Sequence, residues 1–252
     1  MPWLWICMPV CLLVAAQPPE KTKPAGDPLP EGDPLVFLEK ALERYEQSAI
    51  KGYSCLFIKQ ERIEGVLRPT EKIEACFRES PHSVYFNWLE GAGKASRVLY
   101  VESENNGQML CRPTGLAGAF VSVVSRDVEG TDAKQSGRYS LKAFGMKKAT
   151  LSTLSPWKAA KAKGTLKVEY LGVRKVREAG DRLCYALRRT CATPEEDGIL
   201  EGTFYIDKEN WLQVGTVLKG ANGKLIGSYF FRDIRLNPDF KPSQFQKAAL
   251  TE

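Results

Sequence analysis

A single histidine is available to the whole 252-residue chain, His82 in the run Ser80-Pro81-His82-Ser83. Any Ser/His/Asp or Cys/His catalyst must use it, but it stands beside a proline at a predicted turn, where an exposed bystander is expected. No Gly-x-Ser-x-Gly elbow is present. Glu61 and Glu64 are carboxylates of the kind that hydrolyse glycosides in pairs, yet charges alternating along a strand mark its wetter portion. Gly91-Ala92-Gly93-Lys94-Ala95-Ser96 lacks the spacing of a phosphate loop and reads as a hairpin turn. With one histidine, no Cys-x-x-Cys and no aspartate-rich calcium loop, no metal site is expected. No cofactor is implied, and the chain is read as a non-enzymatic protein.

The cysteines carry a second kind of chemistry. Beyond residue 16 there are five: Cys55, Cys76, Cys111, Cys184 and Cys191. An odd number leaves at least one thiol unpaired in a monomer. A tight turn at Gly65-Val66 would set Cys55 and Cys76 opposite one another on one face of a hairpin, as a disulfide candidate. Two buried free thiols are the alternative.

A third kind is the recognition of apolar groups. Phe86 and Trp88 share one strand face and Tyr85 lies on the other. Phe204, Phe230 and their neighbours recur in the late strands, and Trp157 lies in a helical segment. Together with Tyr53, Phe57 and Tyr170 they are candidates to line an apolar ligand cavity, with ordinary core packing as the competing explanation.

The elements that must position these residues follow from periodicity and turn chemistry. Asp33-Pro34 opens a helix, with Asp as cap and Pro in the first turn. Leu35, Leu38, Leu42, Tyr45 and Ala49 form its stripe, and Gly52 is expected to end it. Strands follow at 53–63, 71–79, 83–89, 97–103, 108–112 and 119–125, divided by Gly, Pro and Asn turns. A polar loop covers 126–138. A helical stretch at 143–163 is expected to break at Ser155-Pro156. Strands resume at 165–176, 182–191, 200–207, 212–219 and 224–235, the last two joined by Asn222-Gly223. The sum is mainly β (α+β): a strongly curved antiparallel sheet or incomplete barrel of about ten or eleven strands, with helices closing one side.

The hairpins from Tyr53 to Arg112 are apolar on both faces, so both must leave water. In the first hairpin Leu56 and Ile58 are expected to share a face with Ile73, Ala75 and Phe77. The helix from Asp33 covers one face, and the interior shared with the strands after Thr165 covers the other.

Residues 1–16 are apolar, uncharged and end in small residues, as in a secretory signal peptide; the flanking lysine or arginine is missing. Residues 17–32 form a flexible leader rich in Pro and Gly, residues 33–245 a single domain, and residues 246–252 a tail. An exported, periplasmic location follows, without a lipid anchor. The formal charge is +6. Its densest basic stretch, Lys147, Lys148, Lys158, Lys161, Lys163 and Lys167, suits a solvated helix face or a membrane surface better than nucleic acid.

Three segments carry a resemblance. The first is Tyr53-x-x-x-Phe57-x-Lys59-Gln60-Glu61-Arg62-Ile63-x-Gly65, continuing through Arg78-x-x-Pro81-x-Ser83-Val84-Tyr85-x-x-Trp88 to Val98-Leu99-Tyr100-Val101. It resembles an exported bacterial domain-of-unknown-function family, number fifteen seventy-one. Tyr205-Ile206-Asp207 and Phe231-x-Asp233-Ile234-x-Leu236-Asn237-Pro238-x-Phe240 resemble the late strands of the wider LolA-like lipoprotein-carrier superfamily. The resemblance implies a half-barrel with helices at its mouth, and a periplasmic protein that binds an acyl chain or lipoprotein lipid. The alternative is an envelope sensor or scaffold module with a filled core and a protein partner. No functional residue is carried over.

Overall fold

A computed structural model describes residues 27–115 and 122–251. The expected signal segment, most of the leader and part of the expected strand 119–125 lie outside the described residues.

Helix α1 (Pro34–Gln47) is opened by Asp33, whose carboxylate accepts from the amides of Leu35 and Val36 at 2.7 and 3.3 Å. It stops at Ser48, not at Gly52. Gly52 serves a different need: a Cβ there would stand 2.4 Å from the Phe77 carbonyl oxygen, so only glycine lets the strands approach.

Among the described residues twelve strands follow: β1 (Gly52–Ile63), β2 (Val66–Leu67), β3 (Glu71–Arg78), β4 (Ser83–Glu90), β5 (Ala95–Val101), β6 (Gln108–Pro113), β7 (Val124–Asp127), β8 (Lys167–Val176), β9 (Arg182–Thr190), β10 (Glu201–Asp207), β11 (Gln213–Lys219) and β12 (Leu225–Leu236). All pairings are antiparallel, in the order β7-β6-β5-β4-β3-β1-β12-β11-β10-β9-β8, with β2 paired to β1 off this path. β7 and β8 are the two edges, so the sheet stays open. Register shifts at Ser54/Leu56, Lys72/Ile73, Tyr170/Val173 and Tyr205/Ile206 act as bulges, and bulges increase twist and bend a sheet. The expected curved, unclosed sheet is therefore present. The described end of the strand expected at 119–125 is the start of β7, whose last two residues, with a short helix α2 (Thr131–Ser136), lie in the stretch expected as one polar loop.

Register in the first hairpin differs from expectation. Glu64 and Gly65 make the turn, both at positive φ (50° and 80°), and set Ile63 opposite Val66. One extra residue is then absorbed across 68–70, so that Phe57 faces Ile73 and Cys55 faces Ala75. A one-residue shift exchanges the faces. Tyr53, Cys55 and Phe57 share the inner face with Ile73, Ala75 and Phe77, while Leu56 and Ile58 stand outside beside Glu74 and Lys72.

Helix α3 (Met146–Ala162) runs unbroken through Pro156, contrary to the expected break. Proline removes one amide donor, leaving the carbonyl of Ser152, an exposed residue, without its helical partner. The first amide of the helix, that of Met146, donates to the hydroxyl of Tyr53 at 3.1 Å, so the sheet itself caps α3. α1 and α3 pack together and cover the inner face. The expectation that α1 covers the first hairpin is corrected: Phe37 packs on Tyr185 and Trp211, in the second half of the sheet. Only Tyr45, hydrogen-bonded to Glu79, joins the first half.

The outer face of β4–β6 is covered by the C-terminal segment. Phe245, Ala249 and Leu250 pack on Tyr85, Leu99, Val101 and Leu110. The Tyr85 hydroxyl donates to the Ala249 carbonyl at 3.1 Å, and Arg112 donates to that of Leu250 at 3.2 Å. Residues beyond 245 are thus part of the domain rather than a tail. The end of the leader is also docked: Leu29 is buried, and the carbonyl of Asp27 accepts from Tyr170 at 2.8 Å.

Candidate functional site

The inner face holds two aromatic clusters. One gathers Phe57, Phe77, Phe86, Phe144 and Phe231 under the first half of the sheet. The other gathers Phe37, Leu154, Trp157, Tyr185, Phe204 and Trp211 under the second. Tyr229, at the centre of the sheet, packs against both. Between them lies a cavity of about 240 Å³, walled by both clusters and roofed by α3 and the 139–145 segment.

Alternation along each strand puts these walls in place. Phe57, Lys59 and Glu61 project inward from β1 because their parity is that of Tyr53. Phe204 projects from β10 against Trp157, with ring centroids 5.4 Å apart. Gly202, two residues earlier on the same face, leaves room, since a Cβ there would meet the Phe204 ring at 2.7 Å.

Of the sequence candidates, Phe57, Phe86, Trp157 and Phe204 line the cavity. Four do not. Tyr53 is wholly buried beneath it, spending its hydroxyl on α3. Trp88 donates its indole N–H to Glu71 at 2.5 Å on the flank of the first cluster. Tyr170 belongs to the leader contact on edge strand β8. Phe230 has the parity opposite to Phe231 and lies on the outer face over Gly215, facing Tyr205. The one-residue register error accounts for none of these four misses, which are aromatics doing plain packing.

Reasoning from aromatics alone also missed the polar part of the site. Lys59 and Glu61 are buried in the cavity wall. The Lys59 ammonium donates to Glu61 at 2.9 Å and lies 3.2 Å from Glu71. Burial by itself would lower the lysine, but the two carboxylates outweigh it and hold it above its ordinary value. Glu61 also accepts from the Tyr229 hydroxyl at 2.9 Å and from the Arg138 amide at 3.3 Å. Burial, then Glu61, raises Tyr229 far above an ordinary phenol. At the other end, Arg189 is paired in a bidentate fork with Glu195. On the roof, Thr153 donates to Gln213 at 3.1 Å, and Gln213 donates to Thr216 at 3.0 Å. The signal for this set was the pattern Lys59-x-Glu61, charges on the parity of Phe57.

Tyr139, half-exposed, covers Tyr229 at the mouth. Arg138 beside it reaches Asp197 at 2.8 Å, joining the two loops that flank the opening.

His82 is corrected from exposed to buried. It packs between Phe77 and Tyr100, and its Nε2 lies 3.0 Å from the Leu141 carbonyl. Burial pushes it below the ordinary histidine value, the Leu141 contact opposing. It is outside the cavity. The cysteine pairing is also corrected: Cys55 and Cys76 are both free and point to opposite faces, since Cys55 opposes Ala75 and Cys76 opposes Ser54. Among the described residues no group of His, Cys, Asp and Glu is placed to hold a metal ion. Half of the basic stretch is paired with α1 and its cap, Lys147 to Glu46, Lys158 to Glu39 and Lys161 to Asp33. A second depression, about 590 Å³, lies on the outer face beside the C-terminal segment, among Glu74, Arg97, Asp233 and Lys241. It is the larger, but its walls are more polar than those of the inner cavity and no residue of α1, α2 or α3 lines it.

The profile of a family described as "Protein of unknown function (DUF1571)" matches residues 50–250. No curated protein matches the sequence. Among solved structures, the chain is similar to a DUF1329 family protein from Desulfovibrio piger, at 11% identity over 86% of this chain and 99% of that one, with a TM-score of 0.43. It is similar to the MucA/MucB complex structure from Pseudomonas aeruginosa at 15% identity, covering 84% of this chain and 62% of that one, with a TM-score of 0.49. It is also similar to the LolA superfamily protein NE2245 from Nitrosomonas europaea, at 8% identity over 84% and 98% of the two chains, with a TM-score of 0.38.

Proposed function

Since the chain belongs to the DUF1571 family, whose description assigns no activity, we propose from its geometry that the inner face is a binding site for one small apolar or amphiphilic group. The observation that supports this reading is the gap between the two aromatic clusters. Cores normally close to crystal-like density, whereas here about 240 Å³ stays open under a helical roof. Binding would come from burying alkyl groups, at roughly 0.8 kcal/mol per CH₂.

The volume limits the occupant. A dry apolar cavity of about 150 Å³ takes a benzene, and drug-sized sites run from about 300 Å³ upward. A cavity of about 240 Å³ suits a single short chain or ring, not the several acyl chains of a whole lipoprotein. An exported location is supported by the apolar segment at residues 3–16 and remains part of the proposal. The alternative, a filled module that binds a protein partner, is supported by the tight first cluster but not by the gap beside it.

Native mass spectrometry of gently purified protein, with quenching of Trp157 fluorescence by 1-bromooctane, tests the reading. A saturable quench, absent from Trp157→Phe, is expected. A linear, unsaturable quench with no co-purified mass would overturn it.

A further inference from the structure

Part of the cavity roof is a connecting segment, not a helix. Residues 139–145 join α2 to α3 with a single helical turn, Leu141–Ala143. Ser140, Leu141, Ala143 and Phe144 line the cavity, and the Phe144 ring sits among Phe57, Phe86 and Phe231. The segment is tied at both ends. Arg138 gives its amide to Glu61 and its side chain to the Arg62 carbonyl and Asp197. Gly145, at φ 134°, turns the chain into α3, where the Met146 amide is bound by Tyr53. Between the ends, two side chains from outside hold the backbone. Lys148 donates to the Lys142 carbonyl, and His82 Nε2 lies 3.0 Å from the Leu141 carbonyl.

Of these holding side chains, histidine is the type that changes charge near neutral pH. A carbonyl only accepts, so the neutral ring carries its proton on Nε2, and acid adds a second at Nδ1. With the roof down the added charge is poorly hydrated, because the ring is buried between Phe77 and Tyr100, at centroid distances of 5.3 and 6.0 Å. Phe77 and Tyr100 are fixed in β3 and β5. Leu141 belongs to no strand, so the roof is the neighbour that can give way. The charged groups facing the ring are Lys148 on α3, which opposes a positive imidazole, and Glu102 and Glu79 at the ends of β5 and β3, which favour it. Glu79 is already engaged by the Tyr45 hydroxyl. Burial outweighs the two carboxylates, so the closed state holds the ring below its ordinary value. With the roof lifted, the ring reaches water and regains the ordinary value of about 6.5. The lifted state therefore takes the proton first as pH falls. Closure is fully favoured above about pH 6.5 and weakens as pH drops through the closed-state value.

Resting on the proposed binding site, we propose that His82 is a pH-sensitive latch on its roof: neutral, it holds segment 139–145 down over an apolar ligand, and protonated, it lets that segment lift and the ligand leave. His82 touches no ligand; it acts through the Leu141 carbonyl.

Quenching of Trp157 by 1-bromooctane at about pH 7.5 and about pH 5.5, on either side of an ordinary histidine, tests this. Affinity of the unmodified protein is expected to fall severalfold at the lower pH. His82→Gln keeps an N–H for Leu141 without a titrating group, and its affinity is expected to change little. An equal fall in both proteins would assign the effect to the cavity carboxylates and overturn the latch. A pH-independent affinity in the unmodified protein would also overturn it, while leaving the binding site standing. No saturable quench at either pH would overturn the binding site, and with it the release of ligand. Hydrogen exchange without ligand reads the movement itself. The amides of Ala143 and Phe144 are bonded to the carbonyls of Ser140 and Leu141 at 2.9 and 3.2 Å. They are expected to be less protected than the central strands β1 and β12, and to lose protection severalfold at the lower pH after correction for intrinsic rates. Equal protection of roof and central strands would mean that the roof opens only when the whole domain unfolds, and would overturn the latch. If His82→Gln does not fold, the two measurements on the unmodified protein decide.

Discussion

The hydroxyl of Tyr229, on β12, donates to the carboxylate of Glu61, on β1, at 2.9 Å. The two strands are neighbours at the centre of the sheet, so this bond spans the junction between its halves inside the cavity wall. Tyr229→Phe removes the donor and leaves a buried carboxylate with one bond fewer. A loss of about 1–3 kcal/mol is expected, read as a lower urea midpoint with an unchanged slope. In the unmodified protein this phenol, raised by burial and by Glu61, is expected to stay protonated at pH values where exposed tyrosines ionise; absorbance titration checks it.

Filling the cavity separates binding from folding. Ala149 lines it from α3. Ala149→Leu places three more carbons in the gap and raises helix-compatible apolar burial. Affinity for an apolar probe such as 1-bromooctane is expected to fall at least tenfold while the melting temperature holds or rises. A variant that binds as before would place the ligand elsewhere.

Leu250 is wholly buried against the outer face of β4–β6. Leu250→Ala is expected to cost about 2–5 kcal/mol, the range for a large-to-small change in a core. Chemical denaturation measures it. A cost near zero would make the C-terminal cover dispensable.

His82 gives a pH dependence with a definite sign. Its folded value lies below the ordinary one, chiefly through burial. The unfolded chain therefore takes up the proton first as pH falls. Stability is fully present above about pH 6.5 and is lost below it as the folded value is passed. Between about pH 7 and 5.5 the urea midpoint is expected to fall. His82→Gln keeps an N–H for Leu141 without a titrating group, and its midpoint is expected to fall less over that range.

The thiols are expected to divide by depth. Cys184 is buried and its thiol is pushed up to about 12; Cys55 is raised further by burial and by Cys76. Cys191 is partly exposed at the cavity. Native alkylation followed by intact mass should mark Cys191 and the half-buried Cys76 before Cys55 or Cys184. A saturating apolar ligand should slow Cys191 alone. A Cys55–Cys76 bridge in the purified protein would contradict the register of β1 and β3.

Most elements were legible from local chemistry. Asp33 caps where an Asp-Pro pair predicts it, and the Gly and Asn turns bracket strands within a few residues. What failed was set by non-local packing. The face assignment of β1 turned on one residue absorbed across 68–70, where Arg68-Pro69-Thr70 gives no sign of a bulge. The break expected at Pro156 does not occur because Leu154 and Trp157, on either side, are both held in one core. The outer cover was hidden because Phe240, Phe245 and Leu250 follow no period. Half of the aromatics named from the sequence line the cavity, since alternation gives a side chain's face but not whether a neighbour fills the space before it.

The order of the strands has a consequence for how this chain must be made. β1, the first strand among the described residues, finds one of its two long neighbours in β12, the last. Until β12 arrives, that flank of β1 is a bare template, carrying the Tyr53–Glu61 stretch with its inner aromatics uncovered. Such distant pairings slow folding and leave sheet edges open to the wrong partner. For this chain the vulnerable interval runs from the end of β1 at Ile63 to the start of β12 at Leu225, and a holdase that shields β1 during that time is expected to raise the yield of folded protein.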